Sequence, residues 1–237
     1  MTQTYPGLLN FRDAGDTAAG RGARIHRGTL YRSACPYEFE PGALEAHGGF
    51  GLRTVVDLRD KSEITVWPYE LGGAEVETVN IAVLDDRPVP PDQAGLYAHM
   101  VGQCADGFTA AVRAVARALP DPVLVHCAVG KDRTGLVIAL ALDAAGVPQD
   151  AIVEDYVYSN IGLGIPQPAP GTDIDRDEYG NYLTGRYVAP ALITDSLDLA
   201  RSLGGDVPGY LAAHGMTDDE LARLRGALVE SPADRAE

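Results

Sequence analysis

Cysteine, basic charge and long apolar runs are all scarce in this sequence. Its three cysteines, Cys35, Cys104 and Cys127, are spread over 237 residues. So few and so scattered, they supply neither a disulfide framework nor a zinc cluster. A reducing, cytoplasmic setting is the expectation. Lysine and arginine total 19 against 34 acids, a net charge of −15. General binding to a nucleic-acid backbone needs basic surface, and the same deficit works against anionic membranes. Neither nucleic acid nor membrane is therefore expected as a partner. The longest apolar run, Leu136 to Leu142, is far short of the ~20 residues of a spanning helix. The N-terminal "MTQTYPGLLNFRDAG" lacks the basic-then-apolar pattern of a secretion signal. Any anionic ligand must be attracted locally, by a concentrated set of donors.

What is present alternates between strand and helix signals. "ARIHRGTLYR" with Ser33 offers one or two short strands, and "PGALEAHGG" (Pro41–Gly49) a short helix stopped by its glycines. "LRTVVDLR" (Leu52–Arg59), "VETVNIAV" (Val76–Val83) and "PVLVH" (Pro122–His126) read as strands from their β-branched content and alternation. Phe108, Val112, Val115 and Leu119 recur at helical spacing. Helices are also expected from Thr134 to Ala145, capped by Gly146, and over Asp150–Tyr158. "TDDE" (Thr217–Glu220) is a capping box that opens a final helix with Leu221, Leu224 and Leu228 on one face. The order predicts an α/β fold, a central mostly parallel β-sheet flanked by helices. It forms a single domain over 1–237, with a Pro/Gly-rich loop or lid over 161–188 and a helical segment over 190–230.

The chemistry concentrates in "VLVHCAVGKDRTGLV" (Val123–Val137). A strand, a tight loop and a helix in succession make an anion trap, because loop amides point inward and the helix start adds unpaired N–H groups. Gly130 permits backbone conformations that other residues resist, and Gly135 lets the helix start pack closely. Arg133 supplies a planar fork matched to phosphate oxygens, and Lys131 a second positive charge. Cys127 stands at the mouth of the trap. Thiols at helix N-termini beside cations are the ones that ionise near neutral pH and act as nucleophiles. A lone cysteine after a buried strand is ordinarily a packing residue; the glycines, lysine and arginine that follow argue for catalysis.

"HCAVGKDRTG" (His126–Gly135) resembles the phosphate-binding loop of the cysteine-dependent protein tyrosine phosphatase superfamily: His-Cys, five residues, Arg, then Ser/Thr. Its Gly-Lys-Asp-Arg core is similar to the atypical bacterial and fungal branch. So are "NFRDAG" (Asn10–Gly15), "LYRSACP" (Leu30–Pro36), "VVDLRDKSEI" (Val55–Ile64) and "GGDVPGYLAAHGMTDDELARLR" (Gly204–Arg225). The resemblance implies a phosphomonoesterase that works through a phosphocysteine on Cys127, with inorganic phosphate as product and no metal or cofactor. Ala128, Val129, Gly130, Lys131, Asp132, Arg133 and Thr134 would bind the phosphate, and Thr134 would also assist thiolate departure. His126 would orient the loop. The substrate would be a phosphoprotein, or a small phosphate ester handled by a dedicated metabolic enzyme.

The acid that protonates the leaving group is implied to be an aspartate. The candidates are Asp85, then Asp132, then Asp86, with Asp85 and Asp86 following a strand in "VLDDRP". "WPYE" (Trp67–Glu70) carries Tyr69 where an acid would be needed and is set aside. Asn10, Arg12, Asp13, Asp57, Arg59 and Arg32 read as supporting residues that buttress the site, since charged groups near a sheet end are commonly paired. Cys35 and Cys104 read as inert. "DIDRDEYG" (Asp173–Gly180) fails as a calcium loop, with Glu178 in the place of the required glycine. A phosphate-sensing module without turnover is the non-enzymatic alternative.

Overall fold

The computed structural model describes residues 7–15, 24–37, 50–71, 76–165 and 187–230. The helix expected over Pro41–Gly49, most of 161–188 with its acidic stretch, and the tail after 230 lie outside the described residues. In chain order the elements are β1 (Arg12–Asp13), β2 (Arg24–Ile25), β3 (Leu30–Ser33), β4 (Thr54–Asp57), α1 (Lys61–Val66) and β5 (Glu77–Asn80). They continue with α2 (Gln93–Gln103), α3 (Ala105–Ala118), β6 (Val123–His126), α4 (Asp132–Ala145) and α5 (Gln149–Gly162). The chain closes with α6 (Pro190–Gly204), α7 (Val207–Ala213), α8 (Asp218–Leu228) and β7 (Val229–Glu230).

Five strands form one sheet in the order β1-β3-β6-β4-β5. β3, β6, β4 and β5 run parallel, and β1 is antiparallel at one edge. β2 and β7 make a separate antiparallel pair. The parallel register aligns Ser33 with His126, His126 with Asp57, and Asp57 with Asn80. One row of polar residues thus marks the carboxyl edge of the sheet, where ligands bind in open α/β folds.

Alternation along the strands divides the core. Leu30, Val56, Val123 and Val125 face a large cluster to which α2 through α8 all contribute. Tyr31, Val55 and Leu124 face a smaller cluster with Leu8, Leu52 and Leu71, joined by Phe11, Phe50 and Tyr69. β6 is buried at every residue, as a central parallel strand covered on both sides must be. α4 is buried on nearly all sides, because its apolar residues run right round the helix. Gly146 ends it in the left-handed region at φ 91°, while the Val147 N–H reaches back to Leu142 O. α8 opens with the Thr217/Glu220 capping box. No described helix is long and apolar enough to cross a membrane.

Several elements depart from the sequence reading, among them α1, β7 and the two that follow. α5 runs to Gly162 rather than Tyr158. α2 was not expected; it starts at the Asp92 N-cap, whose side chain accepts the Gly95 N–H, and its glycines and preceding prolines obscure the periodicity of Leu96, Tyr97, Met100 and Val101. Asn160 ties both ends of the Pro/Gly-rich segment together. Its Nδ2 donates to Val188 O and its Oδ1 accepts the Val188 N–H, at 3.0 and 2.8 Å.

Candidate active site

The loop from Cys127 to Lys131 leaves the carboxyl end of β6 and turns into α4. Its shape depends on Gly130, which lies at φ 69°. A Cβ at Gly130 would sit 2.1 Å from Ser33 O, so backbone must approach backbone there. The loop carbonyls are drawn outward. Gly130 O accepts from Asn10 Nδ2 at 2.9 Å and Arg32 Nη2 at 3.0 Å. Ala128 O accepts the Cys35 N–H, and Lys131 O the Gly135 N–H. The Gly130 N–H points at Cys127 Sγ at 3.3 Å. Cys127 itself is almost fully buried.

The braces behind Gly130 form one buried network. Asp155 on α5 is shared by Arg12 Nε at 2.7 Å and Arg32 Nη1 at 2.5 Å. Arg12 also donates to Asn10 Oδ1 and Ser159 Oγ. Burial would raise the Asp155 carboxyl, but the two guanidinium groups outweigh it and hold Asp155 below the usual carboxylate range. Burial, with Arg32 as a neighbour, lowers Arg12 to about 10. Removing one partner of such a buried charge cluster costs about 3–5 kcal/mol, so the brace is rigid. Asp13 acts further off: its carboxylate accepts the Gly15 and Gly28 N–H groups, each at 2.7 Å.

A second network lies under Cys127. His126 Nδ1 donates to Cys127 O at 3.0 Å and Nε2 accepts from Tyr69 Oη at 2.7 Å. Complete burial lowers the His126 pKa, against the pull of Asp57 at 3.8 Å, so the neutral ring with its proton on Nδ1 satisfies both bonds. Asp57 pairs instead with Arg59, Oδ2 to Nη2 at 2.7 Å. Arg59 reaches Trp67 O and lies over the Tyr69 ring. The "WPYE" segment therefore supports the site through Tyr69. Burial pushes the Cys35 thiol up to about 12, which keeps it protonated and unreactive at neutral pH.

Arg133, in the first turn of α4, is gripped end-on by Glu63 of α1. Nη1 and Nη2 donate to the two carboxylate oxygens at 2.6 and 2.7 Å. Nε–H and the second hydrogen of each terminal nitrogen stay available. Burial alone would raise Glu63, but the Arg133 hydrogen bonds and charge prevail and keep it below the ordinary glutamate value. Asp60, the N-cap of α1, is raised by burial despite Arg133.

The three candidate acids differ in setting. Asp85 and Asp86 are exposed and left-handed, at φ 53° and 51°, and Asp86 Oδ1 accepts from Ser62 Oγ. Asp132 is half-buried at the start of α4; its Oδ1 accepts from Tyr97 Oη at 2.9 Å, and Oδ2 lies 3.7 Å from Lys131 Nζ. Ala128 and Val129 line the loop half-buried, and Thr134 is buried, its Oγ1 without a hydrogen-bond partner among the described residues. No cluster of three or more His, Cys, Asp or Glu side chains is placed to hold a metal ion among the described residues. Glu63, Asp155, Tyr97 and Tyr156 had no role in the sequence reading. Glu63 lies in "VVDLRDKSEI", and Asp155 and Tyr156 lie in the helix expected over Asp150–Tyr158, but Tyr97 lies in no segment read there.

Comparison with known proteins matches residues 3–230 to the model of a family described as the tyrosine phosphatase family. A putative tyrosine-protein phosphatase of Cupriavidus necator is 30% identical over 243 residues, covering 92% of this chain and 85% of that protein. The triple specificity protein phosphatase PtpB of Mycobacterium tuberculosis is 26% identical, covering 94% and 98%. A tyrosine-protein phosphatase of Nostoc commune is 31% identical over 155 residues, covering 60% of this chain and 51% of that protein, about half its length.

Proposed function

The chain belongs to the tyrosine phosphatase family, and on that premise we propose that it is a cysteine-dependent phosphomonoesterase with Cys127 as nucleophile. The observation that carries this reading is the loop itself. Its carbonyls are held by Asn10, Arg32 and Cys35, its Gly130 amide lies on the Cys127 sulfur, and Arg133 follows in the first turn of the next helix, oriented by Glu63.

In the first step Cys127 Sγ attacks phosphorus. The P–S bond forms as the ester P–O bond breaks, and the leaving oxygen takes a proton from an aspartic acid. Loop amides and Arg133 stabilise the equatorial oxygens. In the second step water gives a proton to the same aspartate as its oxygen attacks the phosphocysteine, the P–S bond breaks, and inorganic phosphate leaves with the thiolate restored. Thr134 Oγ1, without a partner in the described residues, is the hydroxyl we assign to the departing sulfur. Asp132 is the acid we favour over Asp85. It lies in the loop with one carboxylate oxygen held, whereas Asp85 is exposed. His126, Asn10, Arg12, Asp57 and Arg59 act through the loop, and the reading takes the chain as a single catalytic domain. Three free cysteines suit a reducing, cytoplasmic setting.

Phosphotyrosine in protein is the substrate class we propose, supported by the names of the relatives. The test compares wild type and Cys127→Ser on an aryl phosphate, phosphotyrosine peptides, inositol lipids, and sugar and nucleotide monophosphates. We expect a loss on the order of 10³-fold or more in the variant and the highest kcat/KM on the peptides. Undiminished turnover by Cys127→Ser would sink the reaction. A sugar or nucleotide ester as best substrate would instead identify a dedicated small-molecule phosphatase, and binding without turnover a phosphate-sensing module.

A further inference from the structure

α2 brings a second tyrosine-based device to the loop. Tyr97 Oη lies 2.9 Å from Asp132 Oδ1 and 2.5 Å from Tyr156 Oη of α5. Both rings are almost fully buried and meet edge to face. We propose that Tyr97, backed by Tyr156, is a positioning residue that holds Asp132 Oδ1 so that Oδ2 delivers the proton to the leaving group. This rests on the reading of Asp132 as the acid.

The donor sense follows from the inventory of groups. Oδ1 accepts here, as a carboxylate oxygen or as the carbonyl oxygen of the acid, so the single hydroxyl hydrogen of Tyr97 goes to Asp132, and Tyr156 donates to the Tyr97 oxygen. Burial pushes both phenols far above their ordinary values, and the Asp132 charge adds to it. Tyr97 therefore keeps its proton and serves as a fixed donor rather than a proton source. With Oδ1 engaged by Tyr97, Oδ2, 3.7 Å from Lys131 Nζ, is the oxygen left to serve the leaving group. A carboxyl free to rotate would present the proton in the productive direction for only part of the time.

Gly135 belongs to the same device. A Cβ there would meet Tyr156 Cδ2 at 2.9 Å and Cε2 at 3.0 Å. The glycine that follows Thr134 thus clears the space in which Tyr156 sits, and Tyr156 in turn fixes Tyr97. The last glycine of the loop motif and two distant tyrosines have one explanation, the orientation of Asp132.

The experiment measures kcat/KM on a series of aryl and alkyl phosphates for wild type, Tyr97→Phe, Tyr156→Phe, Asp132→Asn and the double variant Tyr97→Phe/Asp132→Asn. Phenylalanine keeps the ring and removes only the hydroxyl. We expect Tyr97→Phe to lose on the order of 10-fold on alkyl phosphates and little on activated aryl phosphates. Its dependence on leaving-group pKa should be steeper than wild type and shallower than Asp132→Asn, with Tyr156→Phe showing a smaller change of the same kind. In the Asp132→Asn background, Tyr97→Phe should add nothing. Inhibition by inorganic phosphate, which reports an intact loop, should stay within about twofold in both tyrosine variants. Equal losses on every substrate, or the same factor in both backgrounds, would mean packing alone and overturn the proposal. Asp132→Asn with a wild-type leaving-group dependence would remove the acid assignment and this inference with it. A steep Asp132→Asn beside an unaltered Tyr97→Phe would remove only this inference.

Discussion

Arg133, the side chain proposed to grip the phosphate, already holds a carboxylate. Two charge-assisted hydrogen bonds to Glu63 fix the plane of its guanidinium, and such bonds are worth about 1.5–3 kcal/mol each. Two effects of Glu63 oppose one another. Its charge offsets part of the attraction Arg133 has for a dianion, while its geometry aims the remaining N–H groups. Misplacing a catalytic group by about 1 Å costs on the order of 10²-fold, more than partial charge neutralisation in a half-screened site returns, so orientation prevails. Glu63→Gln should therefore lower kcat/KM about tenfold and Glu63→Ala further, in steady-state kinetics on a single aryl phosphate. A rise in either variant would show that charge, not aim, is the larger effect.

Among the elements, α8 shows how one side chain can serve two structures. Glu220 closes the capping box with Thr217 and also pairs with Arg113 and Arg117 of α3, at 2.9 and 2.8 Å. Burial would raise its carboxyl, but the Thr217 backbone hydrogen bond and the two arginines bring it down to about 2. A depressed carboxyl stabilises the fold fully above its unfolded value, near 4.5, and that contribution is lost as pH falls through about 2. Chemical denaturation from pH 5 to pH 2 should show a smaller fall in stability for Glu220→Gln than for wild type. Equal slopes would mean that the pairing does not reach the folding equilibrium. The elements also show what the sequence makes legible. β4, β6, α3, α4 and the capping box of α8 announce themselves, because burial repeats with a fixed period and caps need particular residues. α2 does not: its periodic face is short and broken by Gly95 and Gly102, and packing against α6 and α3 makes it a helix. Cys127 and Arg133 are legible for a related reason, since the loop chemistry is contiguous in sequence. Glu63, Asp155 and Tyr97 lie 70, 22 and 36 residues from Arg133 in the sequence, and only the register of the sheet and the packing of α1, α5 and α2 bring them in.

For the whole molecule, the charge balance sets the terms on which a phosphate can bind. A net charge of −15 repels dianions at long range, and the loop cations are themselves accompanied by acids, Arg133 by Glu63 and Lys131 by Asp132 at 3.7 Å. Beside them, the loop carbonyls are tied to Asn10, Arg32 and Cys35, and the Gly130 N–H is turned onto Cys127 Sγ. Every layer of the fold thus converges on one sulfur, Cys127. The most direct measurement mixes the protein with an activated aryl phosphate, quenches it with acid within the first turnover, and maps the trapped phosphoryl group by peptide mass spectrometry. The account predicts one phosphoryl group on the Cys127 sulfur, formed with a burst of phenol and absent from Cys127→Ser. Full turnover in wild type with no phosphoryl group on Cys127, or with it on another residue, would contradict the account.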